Sequence, residues 1–194
     1  MSFLRFLPVL FAALWLSGCG INNIPTFEEA AKAQWSQVEN QYQRRADLIP
    51  NLVETVKGFA EQEREVLTGV VEARAKATSV QVNADDLSDP AALQRYQAAQ
   101  EQLSGALSRL LVTVERYPDL KSNQNFLALQ TALEGTENRI GVARRDYIQA
   151  VQRYNTELKT IPGRWWASFF YGSPAPMATF EAAPGSATPP AVKF

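Results

Sequence analysis

Apolar residues recur along most of this chain at spacings of three and four. Leu52, Val56, Phe59, Glu63, Val66, Val70, Ala73, Ala77 and Val80 alternate steps of four and three, with Glu63 the one charged member. Leu93, Tyr96, Gln100, Leu103, Leu107, Leu110, Val114 and Tyr117 do the same in the opposite phase. Phe126, Leu133, Ile140, Tyr147, Tyr154 and Ile161 return every seventh residue, with Leu129, Ala143 and Ala150 on the adjoining seam. Such stripes mark one buried helical face. A mean spacing of three and a half implies long helices packed nearly parallel or antiparallel. No stretch alternates with the period of a strand.

Proline and capping residues set the predicted ends. Pro25, Pro50, Pro90, Pro118 and Pro162 punctuate the middle of the chain, and Pro8 lies near its start. Thr26 with Glu29 reads as a capping box. Asp89 before Pro90 reads as a cap followed by proline at the first helical position, and Ser122 or Asn123 can cap the last long segment. The pattern predicts helices at about 27–48, 51–80, 90–117 and 123–161. Trp35, Val38, Tyr42, Arg45 and Ile49 stay in phase with Leu52 and Val56, which would also suit one long helix kinked at Pro50. A single rod over residues 27–80 would leave Trp35 and Tyr42 without a partner. The fold class expected is therefore all-α, an antiparallel four-helix bundle of long helices folding back at Pro50. A short aromatic helix follows it.

The ends of the chain differ from its middle. Met1–Arg5 carries one positive charge, and Phe6–Leu16 is an uncharged apolar run. A membrane span needs about 20 residues, so this run has the size of a signal-peptide hydrophobic region. It ends in Leu16-Ser17-Gly18-Cys19, and Cys19 is the single cysteine of the chain. The arrangement resembles a bacterial lipoprotein box, which implies cleavage before Cys19 and acylation of its thiol. Two or more acyl chains make such an anchor stable where one is marginal. By resemblance to enterobacterial lipoprotein sorting, Gly20 in place of aspartate favours the outer membrane in a host with two membranes. From Ser173 onward the chain is rich in Pro, Ala, Gly, Ser and Thr, and reads as an unfolded tail. Phe180-Glu181 is a possible short docking element within it. The expected organisation is a signal peptide at 1–18, a lipid-bearing linker at 19–25, the helical bundle at 26–172 and a disordered tail at 173–194.

Composition narrows the chemistry. The 194 residues hold 19 Lys and Arg against 20 Asp and Glu, so no basic excess exists for nucleic acid. Histidine is absent, which removes His-dependent triads and helical Glu-x-x-His metal motifs. A lone cysteine supports neither an internal disulfide nor a cysteine metal cluster. No phosphate-binding glycine loop or nucleophile elbow occurs. No catalytic residue, metal or cofactor is expected.

Several segments together carry a resemblance. Arg44-Arg45-Ala46-Asp47-Leu48-Ile49-Pro50-Asn51-Leu52-Val53-Glu54-Thr55-Val56-Lys57-Gly58 resembles the signature of the LemA family. So do Tyr117-Pro118-Asp119-Leu120-Lys121, Asn125-Phe126-Leu127 to Gln130, Thr136-Glu137-Asn138-Arg139-Ile140, Ala143-Arg144-Arg145-Asp146-Tyr147 and Tyr154-Asn155. The resemblance runs in order over about residues 25–172 and implies a helical-bundle, membrane-associated protein. It carries over no catalytic residues. Most members begin with a transmembrane helix, from which the lipoprotein-type start departs.

Two groups of side chains invite a role. The pairs Arg44-Arg45 and Arg144-Arg145 sit near Asp47 and Asp146. They are read first as ties between helices and second as an anion or lipid-headgroup contact. Arg45 falls on the apolar stripe and needs a carboxylate if buried. Asp47, Asp146 and Glu63 are the candidates, with Glu63 expected to fix register with Arg45. Trp165, Trp166, Phe169, Phe170 and Tyr171 read as a lid on the bundle end or as a membrane-interface patch. The function expected is a non-enzymatic, lipid-anchored envelope scaffold or adaptor, facing the periplasm or exterior. It would be held to the membrane through Cys19 and would engage another envelope protein. A lipid or anionic-ligand binder using the arginine pairs is the alternative.

Overall fold

The computed structural model describes residues 20–181. The signal segment 1–18, the lipobox residues Leu16, Ser17 and Gly18, the lipidation candidate Cys19 and the last part of the tail, 182–194, lie outside the described residues. Among the described residues the elements are helical. They are α1 (Asn23–Lys57), α2 (Arg64–Ser79), a 3-10 turn (Ala84–Ser88), α3 (Pro90–Val114), α4 (Pro118–Lys121), α5 (Gln124–Lys159) and α6 (Gly163–Phe170). The all-α expectation holds.

The caps at two ends are those the sequence indicates. Asp89 accepts from the Ala91 N–H at 2.9 Å, with Pro90 at the first helical position. Asn123 Oδ1 accepts from the N–H groups of Asn125 and Phe126 at 3.0 and 3.1 Å. The start of α1 differs. It begins at Asn23, so Pro25 lies in the first turn, where a missing N–H removes no intrahelical bond. Thr26 is then inside the helix, and its hydroxyl donates back to Asn22 O at 2.7 Å instead of capping. The expected linker 19–25 is correspondingly shorter.

The larger correction is at Pro50. The chain does not fold back there. Helix α1 runs through Pro50 for 35 residues and ends at Lys57. Proline leaves the carbonyl of the residue four before it without a helical donor. That carbonyl belongs to Ala46, and Arg74 Nε of α2 donates to it at 2.7 Å. The reversal comes instead at residues 58–63, between α1 and α2. The stripe of Leu52 to Val80 is therefore two stripes that happen to share a phase, and Phe59 is exposed at the break.

Two helices are long and two are shorter. The 35 residues of α1 are matched by the 36 of α5. The pair is antiparallel: Asn23 meets Glu157 at one end, and Arg45 meets Glu137 farther along. α2 and α3 pack antiparallel beside the distal half, as Ala77 beside Gln100 shows. The objection to a continuous α1, that Trp35 and Tyr42 would lack partners, is answered by α5 and by the start of α3. Trp35 packs on Tyr96 and Tyr147 with ring centroids 5.3 Å apart.

The core has two parts. The first is aromatic-rich and includes Ile24, Trp35, Tyr42, Tyr96, Tyr147 and Tyr154. The second is aliphatic and includes Ile49, Leu52, Leu103, Leu110, Phe126 and Leu133. Residues 173–181 belong to the first part. The sequence marks them as unfolded, yet Met177 and Phe180 are buried in that cluster. The low content of large apolar residues concealed two that are well placed. Chain-forming prolines at 174 and 176 hold the segment extended without needing a helix.

Candidate functional site

Arg45 lies on the inward face of α1, and its side chain is 1% exposed. Each terminal nitrogen is engaged. Nη1 donates to Glu137 Oε1 at 2.7 Å and to Ser104 Oγ at 2.9 Å. Nη2 donates to Gln100 Oε1 at 2.7 Å and to Gln100 O at 3.2 Å. Gln100 Nε2 in turn donates to Ala77 O at 3.2 Å. One guanidinium thereby joins α1, α3 and α5 directly, and α2 through Gln100. It sits where the aromatic and aliphatic parts of the core meet.

The carboxylate partner is Glu137, which is 47% exposed. It is none of Asp47, Asp146 and Glu63. Asp47 is exposed and accepts from Gln43 Nε2 at 2.7 Å. Asp146 is exposed on the outer side of α5 and lines a shallow groove with Phe27 and Arg153. Glu63 lies beyond the end of α1, because the turn falls at 58–63. There it accepts from Tyr117 Oη at 2.8 Å and from Arg116 Nη2 at 3.0 Å. Glu63 thus ties the α1–α2 turn to the end of α3 and cannot set register with Arg45.

The two arginine pairs do not act as pairs. Arg44 and Arg145 are exposed, whereas Arg45 is enclosed. Arg144 lies over the ring of Phe180, 4.4 Å from its centroid. Arg45 lies 5.0 Å from the Tyr42 centroid. Both cations face Tyr42: burial pushes its hydroxyl above the ordinary range, and Arg144 and Arg45 pull it partly back. Arg45 is spent on internal hydrogen bonds, and Arg144 lies against the Phe180 ring, so the inward members of the two pairs do not face one common cleft.

A cleft of about 310 Å³ opens beside this layer. Glu39, Tyr42, Asn83, Tyr96 and Gln100 are among its walls. Burial pushes the Glu39 carboxyl up from the usual carboxylate range. Burial likewise pushes up the Tyr96 hydroxyl, and the neighbouring Tyr42 and Glu39 add to that. The walls are mostly neutral or acidic, so the cleft carries no charge complementarity to a phosphate.

The aromatic segment forms α6 at the end of the molecule where the chain enters. Gly163 permits the corner: a Cβ there would lie 2.2 Å from Glu157 O. One side of α6 faces in. Ala167 is buried, and Trp166 and Tyr171 pack against the aromatic core. The other side faces out. Ile161, Trp165, Phe169 and Phe170 are 65, 53, 77 and 61% exposed. Tyr171 Oη donates to Ile21 O at 2.9 Å, which fixes α6 beside the first described residues. Two of the five aromatics, Trp166 and Tyr171, close the bundle end as the lid expectation has it, and the other three stand outward.

Sequence reasoning missed Gln100 as a ligand of Arg45, although a polar residue in an apolar stripe was the visible signal. Glu137, Ser104, Arg74 and Asn155 gave no sign of their roles, because those depend on register between helices.

These features define an all-α helical-bundle protein organised about one buried arginine. The chain belongs to the LemA family, whose pattern it matches over residues 34–194. It is 26% identical over 162 residues to magnetosome protein MamQ 2 of Paramagnetospirillum magneticum, covering 75% of this chain and 60% of that one. It is 25% identical over 157 residues to magnetosome protein MamQ of Magnetospirillum gryphiswaldense, covering 73% and 58%. Protein LemA of Metamycoplasma hominis is 24% identical over 126 residues, covering 65% and 53%. The chain therefore spans 60% or less of the length of these relatives. No described helix is long and apolar enough to cross a membrane.

Proposed function

We propose that this LemA-family chain is a non-enzymatic envelope scaffold. It is anchored by lipid on Cys19, faces away from the cytoplasm, and rests the outward face of α6 on the membrane surface. The observation that carries this reading is the Tyr171–Ile21 hydrogen bond. It ties α6, on which Trp165, Phe169 and Phe170 are exposed, to Ile21, two residues after Cys19. Tryptophan is favoured at the headgroup level of a bilayer. An apolar leader ending at residue 16 brings the bilayer to the same pole whether the attachment is an acyl chain or an uncleaved leader. The arginines and carboxylates that the fold gathers tie helices together, which supports a role through surfaces rather than bond chemistry.

The test has two arms. Radiolabelled palmitate should enter the chain and be lost with Cys19→Ala; an unlabelled wild-type chain overturns the lipid anchor. Unlipidated protein should float with liposomes, and Trp165→Ala with Phe169→Ala should reduce that binding. Equal flotation of both forms makes α6 a lid only. Trp166 is unsuitable for this variant because it packs on the core.

A further inference from the structure

The segment Ser173–Glu181 is seated as a ligand would be. Every polar contact it makes to the bundle uses its main chain. Asn155 grips Met177 from both sides: Nδ2 donates to Met177 O at 2.8 Å, and Oδ1 accepts from the Met177 N–H at 2.9 Å. Tyr147 Oη donates to Ala178 O at 2.9 Å, and the Ala178 N–H donates to Leu87 O at 2.8 Å. Tyr154 Oη approaches Ala175 O at 3.4 Å, and Gln97 Nε2 donates to Glu181 O at 2.9 Å.

Side chains supply the discrimination. Met177 and Phe180, three residues apart, are the two that enter the core. Phe180 stacks on Trp35 at 5.9 Å, meets Tyr147 edge-on at 5.7 Å and lies under Arg144. Small residues fill the space between, and Pro174 and Pro176 pre-set the extended form. Main-chain bonds for affinity and pockets for spaced side chains for specificity are the physical basis of extended-peptide recognition.

The link to the rest of the chain is narrow. Gly172 and Ser173 are both at positive φ, 65° and 58°, and make a sharp reversal directly after α6. Nothing beyond that reversal distinguishes a segment of this chain from the same pattern arriving on another. We infer that the groove walled by Trp35, Leu87, Tyr147, Tyr154 and Asn155 is a peptide-recognition site, with the chain's own strap as its resident occupant. The ligand class is an extended, proline-preceded segment of a partner protein. It carries a flexible apolar side chain and, three residues on, an aromatic ring. This site stands on the strap's contacts alone and does not need the lipid-anchor reading.

The full-length chain carrying Met177→Ala and Phe180→Ala should release the strap and keep its helical circular dichroism. A fluorescent peptide of residues 173–181 should then bind it saturably. The wild-type chain should bind the same peptide about tenfold more weakly or less, since a short tether holds its own strap at roughly millimolar effective concentration. A peptide with alanine at both apolar positions should not bind. Equal weak binding to the two chains overturns the site. If the variant does not fold, hydrogen exchange on the wild-type chain decides. Excess peptide should speed exchange of the Met177 and Ala178 amides, and unchanged protection overturns the proposal. Neither readout depends on lipid or membrane.

Discussion

Arg74 Nε donates to the carbonyl oxygen of Ala46 at 2.7 Å, and Ala46 is the residue whose helical bond Pro50 cannot make. A side chain from the next helix thus replaces a main-chain donor, and α1 continues where its sequence suggests a stop. Arg74→Met should cost roughly 1–3 kcal/mol by leaving a buried acceptor unpaired. In a Pro50→Ala background the amide returns and the same change should cost less. A double-mutant cycle by urea unfolding measures the coupling; additive losses would mean that Arg74 does not serve Ala46.

The Arg45–Glu137 pair is asymmetric in exposure, and its variants should be asymmetric too. Glu137→Ala leaves a buried cation with neutral partners only, but Glu137 is half exposed, so the cost should fall below the roughly 3 kcal/mol of a fully buried pair. Arg45→Met leaves a carboxylate that already reaches water, but it also takes the donor from the buried Gln100 Oε1 and from Ser104 Oγ, so its loss should be the larger. Thermal melts of the two variants check the order, and the reverse order would show that the Glu137 charge outweighs the bonds to Gln100 and Ser104.

Glu39 is disfavoured as an anion in the folded chain, because burial raises its carboxyl above the unfolded value. The sign follows directly. Its favourable contribution is full below the unfolded value of about 4.3 and is lost as pH rises through the folded value. Glu39→Gln should therefore raise Tm at neutral pH and leave it unchanged near the acid end. A series of melts across pH resolves this; a constant difference at every pH would remove titration as the cause.

Gly163→Ala places a Cβ 2.2 Å from a backbone oxygen that has no rotamer to escape into. The corner between α5 and α6 must open. A fall in Tm of about 5 °C or more is expected for a chain of this size, and a wild-type melt would show that the corner relaxes freely.

Much of this was legible in sequence. The stripes of α3 and α5 were legible from Leu93 to Val114 and from Phe126 to Tyr154, whereas Ile161 falls beyond α5 and is exposed. Asp89 was legible as a cap, and Ser122 or Asn123 as the next, from local chemistry alone. Arg45 stood out as a cation on an apolar stripe, in need of a carboxylate if buried. Its partner did not, since Glu63, Asp47 and Glu137 differ only in where their helices bring them. The turn was misplaced for a related reason: Arg74, 24 residues beyond Pro50, removes the penalty that made Pro50 look like a stop. Composition alone hid the strap, where two apolar side chains in nine residues suffice because the groove supplies every other contact.

The match in length between α1 and α5 has a geometric result. At about 1.5 Å per residue the 35 residues of α1 extend roughly 50 Å. The tie between Tyr171 and Ile21 sits at its beginning, and the loop of residues 58–63 at its far tip. Under the proposed anchoring, anything that met the tip would stand more than a bilayer's thickness from the near pole.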